Sequence, residues 1–170
     1  MLTRNQCLSL LEEYKVPEAV KKHCIKVAEV ALKICDALRS AGLRLDCQAV
    51  ESAALLHDIA RGSPRHAEEG QRLLRAMGEE DLANIVAQHM VLEEQEKGRI
   101  SEVALVYLAD KFVSQDAVVS LEERFSARSQ DFANNQEALE GVWRNRETAE
   151  RICSLIKDIT GTEVFFLITQ

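Results

Sequence analysis

The sequence predicts an all-α fold, and three observations carry that prediction. Leu, Ala, Glu and Arg dominate the 170 residues, and all four form helices readily. Aromatic residues make up only 5%, with seven Gly and two Pro, too few for the turns of a many-stranded β protein. Apolar residues recur at three- and four-residue spacing in segment after segment, which places them on single helical faces. With 46% hydrophobic content the chain can bury a sizeable core. No linker, low-complexity tract or internal repeat divides it, so one domain over 1–170 is expected.

Each element follows from local signals. Thr3 and Gln6 suit a capping box for a first helix ending near Tyr14. Pro17 suits the first turn of a long second helix and Gly42 its end. Within that helix Val20, Cys24, Val27, Ala31, Ile34 and Leu38 form an inward stripe, bordered by His23. A third helix begins near Asp46 and carries Val50, Ala53, Ala54 and Leu56 into His57 and Asp58; Gly62-Ser63-Pro64 stops it. A fourth helix runs from about Arg65 to Met77, with Gly78 as its stop, and a fifth from about Glu79 to His89. Val91 to Arg99 reads as a polar loop. A strongly apolar sixth helix covers Ser101 to about Ser114, and Asp110 shares a face with Val103 and Val106. A shorter helix follows over about Leu121 to Ala133, then a long one from Gln136 to Thr160, ended by Gly161. The β-prone tail EVFFLIT is expected as a short C-terminal strand or an extended strap over the core.

Charge and cysteine content narrow the function classes. A net charge of −7 provides no general attraction to a nucleic acid polymer or an anionic membrane, yet leaves room for a local basic pocket. The five cysteines (Cys7, Cys24, Cys35, Cys47, Cys153) include no CxxC pair, and their odd number suggests reduced thiols. Without an apolar leader or a run of about 18 apolar residues, a soluble cytoplasmic protein is expected. Length and the apolar tail leave room for a homodimer without specifying one.

Polar ionisable groups interrupt the apolar faces. The chain has four histidines, His23, His57, His66 and His89, each where helices can converge. Asp58 and Asp110 add carboxylates on faces that otherwise read as buried. Singly, each has an ordinary reading: His23 as a core-edge residue, His66 as a solvated helix start, His89 as a histidine favoured by a helix C-terminus. Jointly, six imidazole and carboxylate groups suit one or two divalent transition-metal ions, Fe, Mn, Co, Ni or Zn, and the lack of thiolate argues against a structural zinc.

The order H…HD…H…H…D is carried by KKHCIKVAEVA, AALLHDIARGSPRHAEEGQRLL, IVAQHM and LVYLADKFV. It resembles the HD-domain superfamily of metal-dependent phosphohydrolases, and within it the HDIG-type branch, over roughly Pro17 to Val119. The resemblance implies an HD-fold helical bundle with a motif core over about 17–119 and a helical extension over 120–170. It implies that His23, His57, Asp58 and Asp110 ligate one metal, and that His66 and His89 hold a second that Asp58 bridges. It implies hydrolysis of a phosphoester or phosphoanhydride bond in a small phosphorylated metabolite, with a nucleotide as the expected substrate, through a metal-bound hydroxide. Activity would then fall at acidic pH, because the histidines must be neutral to bind metal.

Asp58, Arg61 and Lys111 are the expected catalytic residues. Arg61, Arg65, Lys111 and Arg124 are the expected contacts to the substrate phosphate. The sequence departs from the branch at Ala60, Arg61 and Met90, where glycine, lysine and a further histidine are usual. It lacks the GYP motif of the cyclic-dinucleotide phosphodiesterases, while HDIARG is close to a variant in bacterial diadenosine tetraphosphate hydrolases. The alternatives are a non-catalytic, metal-containing module that binds or senses a nucleotide, and a helical interaction domain in which the motif is incidental.

Overall fold

The computed structural model describes residues 2–170. Among them the chain forms α1 (Arg4–Glu13), α2 (Glu18–Ser40), α3 (Cys47–Leu56), α4 (His66–Ala76), α5 (Glu80–Ala87), α6 (Glu102–Lys111), α7 (Leu121–Asp131), α8 (Gln136–Thr160) and α9 (Val164–Thr169). One antiparallel hairpin, β1 (Val113–Ser114) with β2 (Ala117–Val118), pairs Val113 with Val118 and Ser114 with Ala117. The all-α class stands.

Helix starts are set by side chains that accept otherwise orphaned backbone N–H groups. Thr3 and Gln6 form the expected capping box, and Ser120 and Glu123 form another. Asp46, Ser101 and Asn135 accept from Ala49, Ala104 and Ala138. Helix α2 lies at the centre. It packs on α3 and α6, while α8 and α9 close over it. Its stripe Val27, Ala31, Ile34 and Leu38 is fully buried with Leu55 and Leu56 of α3, Leu105 and Leu108 of α6, and Ile152 and Ile156 of α8. Truncating one such leucine to alanine costs about 2–5 kcal/mol, so these contacts set the relative placement of α2, α3 and α6. Helices α4 and α5 pack as a pair, and α5 joins them to α3 and α6.

Three expectations require correction. The tail is neither strand nor strap: Val164 and Ile168, four residues apart, are both buried, and the segment is helical. Lys33 donates to the carbonyls of Ile168 (2.9 Å) and Gln170 (2.6 Å), satisfying the end of α9. Packing and this cap override the β-propensity of Val, Phe and Ile. Secondly, α6 stops at Lys111, and its expected last turn is the start of the β1–β2 hairpin. Gln115 turns that hairpin with φ +55, a conformation for which Gln-Asp carries little sequence signal. Thirdly, the cysteines are not all thiols. Cys35 of α2 and Cys47 of α3 form a disulfide with their Cα atoms 6.0 Å apart, while Cys7, Cys24 and Cys153 are free. Antiparallel return of α3 along α2 brings the pair within disulfide reach, which spacing alone does not reveal.

Candidate metal centre

The helix ends deliver the six expected residues to one place. His23 lies in the second turn of α2. His57 is the last cap of α3, and Asp58 follows in a turn closed by Arg61 N–H donating to the Asp58 carbonyl at 2.8 Å. His66 opens α4, His89 lies just beyond α5, and Asp110 is in the last turn of α6. His57, Asp58, His89 and Asp110 are buried.

Nitrogen orientation decides what such a cluster can hold. His57 Nδ1 lies 2.7 Å from the Ala54 carbonyl, His89 Nδ1 2.7 Å from the Val86 carbonyl, and His23 Nδ1 2.7 Å from the Gln115 carbonyl. A carbonyl only accepts, so Nδ1 carries the proton in all three neutral rings and Nε2 presents a bare lone pair. These lone pairs face carboxylates. His23 Nε2 is 3.1 Å from Asp110 Oδ1, and His57 Nε2 is 3.6 Å from Asp58 and 3.7 Å from Asp110. His66 and His89 Nε2 lie 3.4 and 3.6 Å from Asp58 Oδ1, and 3.3 Å from each other. Lone pairs set against lone pairs repel unless a cation lies among them.

His57 Nε2 is buried and has no hydrogen-bond partner among the described residues. Such an orphan is costly in a buried core, and a metal ion would satisfy it. The donor atoms of His23, His57 and Asp58 lie within 4.8 Å of one another, as do those of Asp58, His66 and His89, so both triads can hold an ion and Asp58 belongs to both. Asp110 borders the first triad. The donor set, imidazole nitrogen and carboxylate oxygen, fits a divalent transition ion.

The electrostatics favour the ligating forms of His57, His66, Asp58 and Asp110, while at His23 they favour the proton that a metal would displace. Burial holds the His57 imidazole down to about 4, so it is neutral at physiological pH. Burial also lowers His66. Burial would raise Asp58, but His89, His57 and Arg61 outweigh it and keep the carboxyl well below its usual range. Asp110 is likewise held low against burial, by Lys111 and His23. For His23, burial opposes charging, yet the hydrogen bond and charge of Asp110 prevail and raise it. Cys24 is buried nearby, and burial pushes its thiol far up, so it offers no thiolate.

The expected substrate contacts separate into three groups. A cavity of about 690 Å³ opens onto the centre, and Arg61, Lys111 and Arg124 line it. Arg61 Nη1 lies 3.2 Å from both Asp58 oxygens. Lys111 is buried and already engaged, donating to the His89 carbonyl and to Asp110 Oδ2, each at 2.8 Å, with its ammonium 4.6 Å over the Tyr107 ring. Its surroundings fit a residue that steadies Asp110. Arg65 is away from the cavity, paired at the surface with Glu68 at 2.6 Å. Sequence reasoning missed Lys22 and Arg128, which also line the cavity. Arg124 and Arg128 are four apart on α7, like charges on one helix face, and that repulsive spacing was a signal available in the sequence.

A family model described as HD domain matches residues 20–114, which include all six clustered residues. The chain is 34% identical over 89 residues to an uncharacterized protein of Methanocaldococcus jannaschii, an alignment covering 50% of this chain and 52% of that protein. The chain thus spans about half the length of the curated relative it matches. No solved structure matches it. No helix among the described residues is long and apolar enough to cross a membrane.

Proposed function

The chain belongs to the HD-domain family, and from that premise we propose that it is a metal-dependent phosphohydrolase of the HDIG type. One ion is held by His23, His57, Asp58 and Asp110, the other by Asp58, His66 and His89. The observation that carries this reading is Asp58 shared between two donor triads, with Oδ1 toward His66 and His89 and Oδ2 toward His57. When bound, a pair of divalent ions neutralises phosphoryl oxygens and lowers the pKa of an attacking water.

The chain supplies the rest. Carbonyls of Ala54, Val86 and Gln115 fix three imidazoles in the ligating tautomer, as outer hydrogen bonds do at metal centres. Lys111 positions Asp110 by its ion pair. Arg61, half exposed at the cavity and beside Asp58, meets phosphoryl oxygens with its planar fork. The substrate is a small phosphorylated metabolite, and a nucleotide suits a cavity of this size.

The test is phosphate release from nucleoside mono-, di- and triphosphates and dinucleoside polyphosphates, after loading with Mn, Fe, Co, Ni or Zn in turn. Turnover that requires metal and is lost with Asp58→Ala supports the reading. Full metal loading without turnover on any of these substrates would favour a nucleotide-sensing module instead.

A further inference from the structure

Beyond the reacting phosphate, the cavity has a second concentration of positive charge. Helix α7 lies outside the segment matched by the family model. It turns Arg124 and Arg128 to the cavity wall, and Lys22 of α2 lines the same space. Two acids of α7 are engaged elsewhere, Glu122 with Arg146 at 2.6 Å and Glu123 in the Ser120 cap, while Asp131 acts on Arg128 from the end of the helix, and Glu18 and Asp116 share the cavity wall with the three cations. Among the described residues, none of Lys22, Arg124 and Arg128 has a carboxylate within 4.0 Å.

Many other cations here do have one, as Arg72 with Glu69 or Arg75 with Glu80. Arg128 is instead stacked 4.9 Å over the Phe132 ring, which holds it half buried without neutralising it. Burial and the nearby charges of Arg124 and Arg61, with Asp131 opposing, pull its guanidinium below the usual value. Three unneutralised cations facing one cavity in a chain of net charge −7 are not a general surface property. They form a local site for an anion.

We infer that Arg124, Arg128 and Lys22 form a second anion subsite, which selects substrates carrying a further phosphoryl group beyond the one cleaved: a diphosphate, a triphosphate or a bisphosphate. This rests on the phosphohydrolase reading, because that reading places the cleaved group at the metal centre and Arg61. Arg124 and Arg128 are then specificity-determining residues contributed by the C-terminal helices. Simple monoesters engage the centre alone; substrates with a second anionic group engage both ends of the cavity.

The test measures binding of inorganic triphosphate and of orthophosphate by calorimetry. It uses the full chain, first metal-free and then loaded with Mn²⁺, with metal content determined in parallel. Triphosphate should bind at least about tenfold tighter than orthophosphate in both forms, since each charge-assisted contact is worth about that factor. Arg128→Gln and Arg124→Gln should each erase most of the preference while metal content stays at the wild-type level, and Arg128→Lys should retain part of it. Equal affinity for the two anions, or a preference unchanged in both glutamine variants, overturns the inference. Failure to take up metal overturns the hydrolase reading instead, and the calorimetry separates the two results. Should Arg128→Gln fail to fold, Arg124→Gln decides the matter, since Arg124 has no aromatic contact to lose among the described residues.

Discussion

The two donor triads are built with different stiffness. In the first, His23 and His57 are both pinned through Nδ1 to backbone carbonyls, His57 within the core and His23 at its edge. The second has one pinned ring, His89, and one held only at its metal-facing nitrogen. His66 has no partner to its Nδ1 among the described residues, although its side chain is no more exposed than that of His23, 15% against 14%. It opens α4, directly after the turn that carries Gly62 and Pro64. A pinned donor has less orientational freedom to lose when metal binds. The comparison teaches that one centre can combine a tight site with a looser one, the looser lying where a short helix meets a loop.

The sharpest way to break this asymmetry is Asp58→Ala. It removes the shared carboxylate, and elemental analysis should find both ions lost; wild-type stoichiometry in the variant would refute the shared-ligand assignment. His66→Ala should separate the halves, with one ion lost and the other kept. Loss of both, or of neither, would mean the triads are not distinct. A subtler lever is Gly70 on α4, where an added Cβ would stand 3.1 Å from Val86 and 3.5 Å from Ile59. Gly70→Ala should crowd α4 against Val86 of α5 at a cost of about 1–3 kcal/mol, partly offset by the gain of about 1 kcal/mol that alanine has over glycine within a helix, for a small net loss of stability. It should also weaken the second ion more than the first in competition titrations with a chelator. The smallest effect on metal is expected from Cys35→Ser. Opening a loop this short should lower stability by about 2–4 kcal/mol in thermal or denaturant unfolding. Both ions should remain, since neither cysteine touches the centre.

Most of the helical frame was legible because its signals are local. The Thr3–Gln6 box, the α2 stripe and the bounds of α8 from Gln136 to Thr160 all depend on residues within a few positions of one another. The convergence of His23, His57, Asp58, His66, His89 and Asp110 was legible for another reason: ionisable groups on apolar faces need a partner. Illegible were the features made by tertiary approach. The Gln115 carbonyl that orients His23 arrives from 92 residues away, and no side-chain pattern encodes a carbonyl. The Cys35–Cys47 bond depends on how α3 returns along α2. The tail was read by propensity, whereas the burial of Val164 and Ile168 decided it. Arg65 and Arg124 looked alike as charges in sequence; only the packing of α7 against α8 put Arg124 at the cavity and left Arg65 with Glu68.

The six clustered groups come from segments spread between residues 23 and 110, and in an unfolded chain they lie far apart. An ion that binds only the assembled cluster draws the folding equilibrium toward the native state by mass action. At free metal a hundredfold above the dissociation constant, the gain is about 2.7 kcal/mol per site, a substantial part of the marginal stability of a domain this size. Chelation should therefore act as a mild denaturant. The melting temperature of the chain would report free metal concentration, and the folded population in a cell would track how much metal that cell has to spare.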